Sequence, residues 1–194
     1  VAGKDMTVEE VMRSVRQDKG YYARTGGGMT ISGGELLQQA DFAEALLDAA
    51  VAEGIGVALD TCGFGDGQRL HRMAKKASYI LYDMKSINDE THKYCTGVSN
   101  QKILENLALL ADDPEVNPKI WMRMPLIHGL NDTDEIIQKT AEFYEAHHLT
   151  YATLFPITSW AFPNTKAWDR NTRTLPRRTA TGSMRSRPCS WPMA

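Results

Sequence analysis

Between Met29 and Phe155, short β-rich runs alternate with longer runs whose apolar residues recur at helical spacing. The short runs predict strands at Met29–Ser32, Gly56–Thr61, Tyr79–Met84, Ile120–Met124 and Tyr151–Phe155. Helices fill the gaps. The clearest is Asp41 to Glu53, where Phe42, Ala45, Leu46, Ala49 and Ala50 share a face and Gly54 stops the run. Others are expected from about Gly67 to Lys76, Asn100 to Ala111 and Thr133 to His147, the last with acids in its first turn. At the front, Thr7 offers an N-cap with Glu10 at the capping-box position. Alternation of this kind predicts α/β architecture around a parallel sheet, either an open doubly wound sheet or part of a (β/α) barrel. Periodicity does not choose between them.

In both architectures ligands meet the carboxyl ends of the strands. The first predicted strand ends in Ser32-Gly33-Gly34-Glu35, the second in Asp60-Thr61-Cys62, the third in Asp83-Met84-Lys85, and the fourth delivers Arg123. Four of five strands thus bring a charged side chain to one rim. Singly, each has a bland reading as a turn glycine, a helix cap or a solvated charge; together they point to a site. Thr25 to Glu35 holds five glycines in eleven residues, which suggests a phosphate cradle. No Lys-Ser/Thr follows them, and the glycines flank the strand instead of following it. They are better suited to let a ligand or a neighbouring backbone lie close. A carboxylate with exposed backbone carbonyls favours an ammonium, while Lys85 and Arg123 suit a carboxylate. An amino-acid zwitterion fits both halves.

Composition changes this picture little. The chain has 194 residues, 42% hydrophobic and 24% charged, which fits one globular domain, and no apolar run approaches the roughly 20 residues of a membrane span. No membrane and no nucleic-acid partner is expected. The three cysteines, Cys62, Cys95 and Cys189, are too scattered for a disulfide framework, so a cytoplasmic location is expected. His71, His92, His128 and the pair His147-His148 show no ligand spacing and are read as structural or solvated. The net charge of −2 hides an asymmetry: residues 156 to 194 hold seven Lys/Arg against one acid, leaving 15 against 23 before them.

Four stretches carry a resemblance. G-G-G-M-T-I-S-G-G-E, L-D-T-C-G-F, Y-D-M-K with H-K-Y-C-T-G-V-S-N-Q-K-I-L-E-N-L, and R-M-P-L-I-H-G-L-N-D, in this order, resemble the activating enzymes of glycyl radical enzymes, of which pyruvate formate-lyase activase is the best known. These are radical S-adenosylmethionine (SAM) oxidoreductases, and the resemblance covers about residues 5 to 155. It implies a partial (β/α)6 barrel and a [4Fe-4S] cluster that reductively cleaves SAM. The resulting radical takes a hydrogen from a glycine of a partner enzyme, with electrons from a flavodoxin- or ferredoxin-type reductant. By position, Ser32, Gly33, Gly34 and Glu35 would bind the methionine amino group, largely through backbone. Asp60 and Asp83 would lie near the methionine moiety and, with Thr61, could hold a monovalent cation. Lys85 would meet the SAM carboxylate, and Arg123 would contact SAM or substrate.

The departures are as informative. The family's C-x-x-x-C-x-x-C cluster motif is absent, and the three cysteines, 33 and 94 residues apart, cannot replace it. This chain is therefore expected to be inactive by itself, a piece incomplete at both ends. Leu36 stands where many members have proline, a change expected to loosen the turn. After the last strand the family continues L-P-Y-H-E-L-G, where this chain has Phe155-Pro156-Ile157-Thr158-Ser159-Trp160-Ala161. One legal coding of the family motif, read one base later, gives this chain's residues, and the same shift turns H-K-G-L-G into Thr165-Lys166-Ala167-Trp168-Asp169. The sequence thus predicts a barrel core over 1–155 and, from one base lost near Leu154, an out-of-frame, disordered basic tail over 156–194. That tail holds three of four tryptophans and five of eight prolines. The rival reading is a genuine basic tail that meets an acidic partner or nucleic acid. From other functional classes, the residues also admit a non-catalytic SAM- or amino-acid-binding module, or a lyase using Lys85 as a Schiff base.

Overall fold

The structure is a computed structural model that describes residues 4–156. The predicted out-of-frame tail, but for its first residue, lies outside the described residues. The chain opens with α1 (Val8–Gln17) and α2 (Lys19–Thr25), and then alternates. The order is β1 (Gly28–Ile31), a 3-10 turn (Leu36–Gln39), α3 (Ala40–Ala52), β2 (Gly56–Thr61), α4 (Gly67–Lys76), β3 (Tyr79–Asp83), α5 (Asp89–Thr96) and α6 (Gln101–Ala111). A second 3-10 turn (Asn117–Lys119), β4 (Ile120–Leu126), α7 (Asp134–Ala146) and β5 (Tyr151–Pro156) complete it.

The five strands are parallel and lie in the order β1-β2-β3-β4-β5. This order decides between the two predicted architectures. Every crossover steps in the same direction, and right-handed crossovers that never reverse put every intervening helix on one face. A doubly wound sheet needs a reversal; a barrel wall does not.

Burial along the strands agrees. On β2, Val57, Leu59 and Thr61 are buried while Ala58 and Asp60 are half-buried; on β3, Ile80 and Tyr82 alternate with Leu81 and Asp83; on β4, Met122 and Met124 alternate with Trp121 and Arg123. The buried set packs with Leu47, Ala50, Leu70, Met73, Leu107 and Leu110 of the helices into one core. Each such Leu or Ile contributes about 1.5–3 kcal/mol by leaving water. The other set lines the concave face, which no described helix covers.

The helices begin as the sequence predicts. Thr7 and Glu10 form the reciprocal capping box, Asp66 caps α4 and Thr133 caps α7. Gly54, at φ 71°, ends α3 in the left-handed conformation. Two helices were not foreseen. Helix α2 shares Asp18 with α1 and has no buried residue, and α5 buries only His92, so neither carries an apolar stripe to read.

Candidate functional site

The carboxyl ends of β1, β2 and β3 and the middle of β4 bring polar side chains to the concave rim. Strand register sets the neighbours: Ile31 pairs with Leu59, which places Ser32 beside Asp60, and Asp83 pairs directly with Arg123. The result is one hydrogen-bonded array. The Ser32 hydroxyl donates to Asp60 Oδ2 at 3.1 Å, and a terminal Arg123 nitrogen donates to Asp60 Oδ1. Arg123 Nε donates to Asp83 Oδ1 at 2.7 Å and Lys85 Nζ to Asp83 Oδ2 at 3.1 Å. Arg123, Asp60, Asp83 and Lys85 are between 22% and 35% exposed at the side chain, so the pairs are partly screened yet open to a ligand. Two anions and two cations alternate along it.

Glu35 stands apart from this array. Its Oε1 accepts from Leu37 N at 3.0 Å and from the Thr61 hydroxyl at 2.7 Å, and its Oε2 accepts from Cys62 N at 2.8 Å and Cys62 Sγ at 2.9 Å. Both oxygens are spent joining the exit of β1 to the exit of β2. Leu36, 4% exposed, opens the 3-10 turn that Glu35 caps, so burial and the cap hold a turn without proline. Burial first and Glu35 second push the Cys62 thiol up to about 11. Thr61, 3% exposed, turns its side chain to the helix side of the sheet, opposite to Asp60, where it also accepts from Gly63 N.

The two glycine clusters separate in purpose. A Cβ on Gly28 would lie 1.9 Å from the Gly56 carbonyl oxygen, so the first cluster serves the close pairing of β1 with β2. A Cβ on Gly33 or Gly34 would meet nothing within 4 Å, and neither has a positive φ. The protein itself does not demand glycine there, and the space above them is open.

Three asparagines that the sequence reading passed over hold the rim loops. Asn106 Nδ2 donates to the carbonyls of Gly63 and Gly65, 2.7 and 3.1 Å away. Asn100 Nδ2 donates to those of Ser86 and Ile87, at 3.1 and 2.9 Å. Asn131, fully buried, donates to the carbonyls of Lys85 (2.6 Å) and Pro125 (2.8 Å) and accepts from Ile127 N (2.6 Å). Each lies in a quoted motif, N-Q-K-I-L-E-N-L or G-L-N-D, where polar neighbours such as Gln101, Glu105 and Asp132 leave it no distinct signal. Tyr82, also buried, donates to the Ile103 carbonyl at 2.7 Å. Gly63, at φ 73°, passes so close that a Cβ would lie 1.8 Å from the Tyr82 hydroxyl.

Three of the five histidines are structural or paired on the surface. His92 is buried against the Val98 carbonyl, His71 meets Asp113 at 2.7 Å, and His128 meets Asp132. Among the described residues no group of three or more His, Cys, Asp or Glu is placed to hold a metal ion. Cys62 and Cys95, the two described cysteines, sit on separate elements, and Cys62 is bound to Glu35. This donor set does not fit a [4Fe-4S] cluster. No helix among the described residues is long and apolar enough to cross a membrane.

No family model matches the chain. Curated relatives do. The isethionate sulfite-lyase activating enzyme of Desulfovibrio desulfuricans is 43% identical over 155 residues, 79% of this chain and 49% of that one. The pyruvate formate-lyase 1-activating enzyme of Escherichia coli is 35% identical over 143 residues, 73% of this chain and 57% of that one. A solved domain of a pyruvate-formate lyase-activating enzyme from Bacteroides vulgatus superposes with a TM-score of 0.62 at 27% identity, covering 69% of this chain and 83% of the other. The chain spans about half the length of the curated relatives it matches.

Proposed function

We propose, on the premise that this chain is homologous to the activating enzymes of glycyl radical enzymes, that its strand-end array seats the amino-acid part of SAM. The observation that carries this is the convergence of Ser32, Asp60, Asp83 and Lys85 from the ends of β1, β2 and β3 on Arg123 from the middle of β4, beside open space above Gly33 and Gly34. The backbone of Ser32-Gly33-Gly34 takes the ammonium, helped by an Asp60 oxygen. Lys85 and Arg123 take the carboxylate, Arg123 as the planar fork and Lys85 as the point charge. Glu35 shapes this seat by holding Cys62 and Leu37 in place.

The activity of the whole enzyme is likewise our proposal: a glycyl radical enzyme as protein substrate, a flavodoxin- or ferredoxin-type reductant, and a cytoplasmic location. The described cysteines do not fit the cluster that such an activity requires. A second reading that the same strand-end array supports is a non-catalytic SAM- or amino-acid-binding β/α module. We also propose that residues 156–194 are read out of frame; sequencing the gene beyond Leu154 tests this, and failure to restore the tyrosine-histidine motif in the other frame would refute it.

Calorimetric titration tests the seat. SAM and S-adenosylhomocysteine are expected to bind at least about tenfold more tightly than 5′-methylthioadenosine, which lacks the amino-acid part, a difference of about 1.4 kcal/mol. Asp60→Asn and Lys85→Met should each abolish that preference. Equal affinity for all three ligands would show that the array does not read the zwitterion.

A further inference from the structure

The resemblance implies a monovalent cation at Asp60, Thr61 and Asp83, and the geometry offers that ion little room. All four carboxylate oxygens of Asp60 and Asp83 already accept a hydrogen bond: from Ser32, from Arg123 twice, and from Lys85. The Thr61 side chain lies on the opposite face of the sheet, committed to Glu35 and to Gly63 N. Charges balance without an ion, two carboxylates against one guanidinium and one ammonium. A metal cation needs oxygens turned towards it, and these are turned towards N–H and O–H donors.

We propose that Arg123 is the resident cation of the Asp60–Asp83 seat, a tethered guanidinium in the place a dissolved monovalent ion would hold. Arg123 suits this role for a stated reason. It projects from β4 in register with Asp83, so strand pairing delivers it at no diffusional cost. Its fork spans two carboxylates at once, one through Nε and one through a terminal nitrogen, which a spherical ion does without directionality. A ligand ammonium that reaches Asp60 therefore displaces one end of Arg123 and frees it to turn towards the ligand's carboxylate. The seat is built for exchange of one organic cation for another.

The test needs no SAM, so its outcome is separate from that of the proposed function. Melting of the full chain is followed in sodium, potassium and choline chloride at matched ionic strength. Wild type should melt at the same temperature in all three. Arg123→Met, with its seat vacated, should gain a saturable stabilisation in sodium or potassium over choline of about 3 °C near ten times the dissociation constant. Arg123→Gln is the second variant and should show the same gain. A saturable, ion-specific stabilisation of the wild type would overturn the proposal, and so would its absence in a folded Arg123 variant. If neither variant folds, the wild-type comparison decides alone.

Discussion

Asn131→Ala asks how the rim is held. Three hydrogen bonds are removed: two from Nδ2 to the Lys85 and Pro125 carbonyls and one from Ile127 N to Oδ1. Asn131 is fully buried, so its partners lose their bonds with little compensation from water. At roughly 1 kcal/mol net for each bond, the loss is about 3 kcal/mol, a large part of a typical 5–15 kcal/mol stability. Asn131→Asp separates bonding from packing. It keeps the shape and the Ile127 contact but turns both donors into acceptors facing two carbonyl oxygens, so it should cost at least as much as the alanine variant. Urea unfolding followed by circular dichroism reads both, with a lowered midpoint and an unchanged slope. An unfolding free energy for Asn131→Asp within about 0.5 kcal/mol of wild type would refute the reasoning, because surface-like substitutions fall in that range.

Further outcomes are expected at two places, the Gly63–Tyr82 contact and Cys62. Gly63→Ala should destabilise by about 2–3 kcal/mol, from its positive φ and from the Cβ forced against the Tyr82 hydroxyl. Tyr82→Phe, alone costing about 1 kcal/mol for the Ile103 bond, should recover part of that loss in the double variant; strict additivity in thermal melts would contradict the contact. Cys62, with its thiol pushed up to about 11, should alkylate at pH 8 on the order of 100-fold more slowly than an ordinary thiol, read by peptide mass mapping. The sign for stability follows: the folded state keeps the proton that the unfolded chain releases, so stability falls as pH rises from 9.0, an ordinary thiol's value, towards about 11. A Cys62 that alkylates as fast in folded as in unfolded protein would show that Glu35 and burial do not hold it.

The sequence was most legible where local rules and tertiary packing agree. β2 and α4 occupy the predicted spans, because an alternating strand and a capped amphipathic helix both carry their own period. Strand order was not legible, since periodicity says what an element is and not where the next one turns; the order of pairing and the hand of the crossovers made the barrel wall. In the site, residue types at strand ends were enough to pick out Ser32, Asp60, Asp83, Lys85 and Arg123. Which of them touch depends on register, which no strand carries alone. Glu35 shows the same limit from the other side, because its type suggested an ammonium ligand while its neighbours use both of its oxygens. Asn100, Asn106 and Asn131 gave no periodic signal, and their bonds reach across 4 to 46 positions of sequence.

The central claim is that the concave rim, and no other surface, receives SAM. Backbone amide shifts of the isotopically labelled chain, recorded while SAM is added, test it most directly. The account expects saturable shifts at Gly33, Gly34, Cys62, Lys85 and Arg123. The 530 Å³ groove between the first turn of α4 and α6, lined by Gln38, Phe64, Lys102 and Asn106, should stay unmoved. Saturable shifts confined to that groove, or none at the rim with SAM in excess, would contradict it.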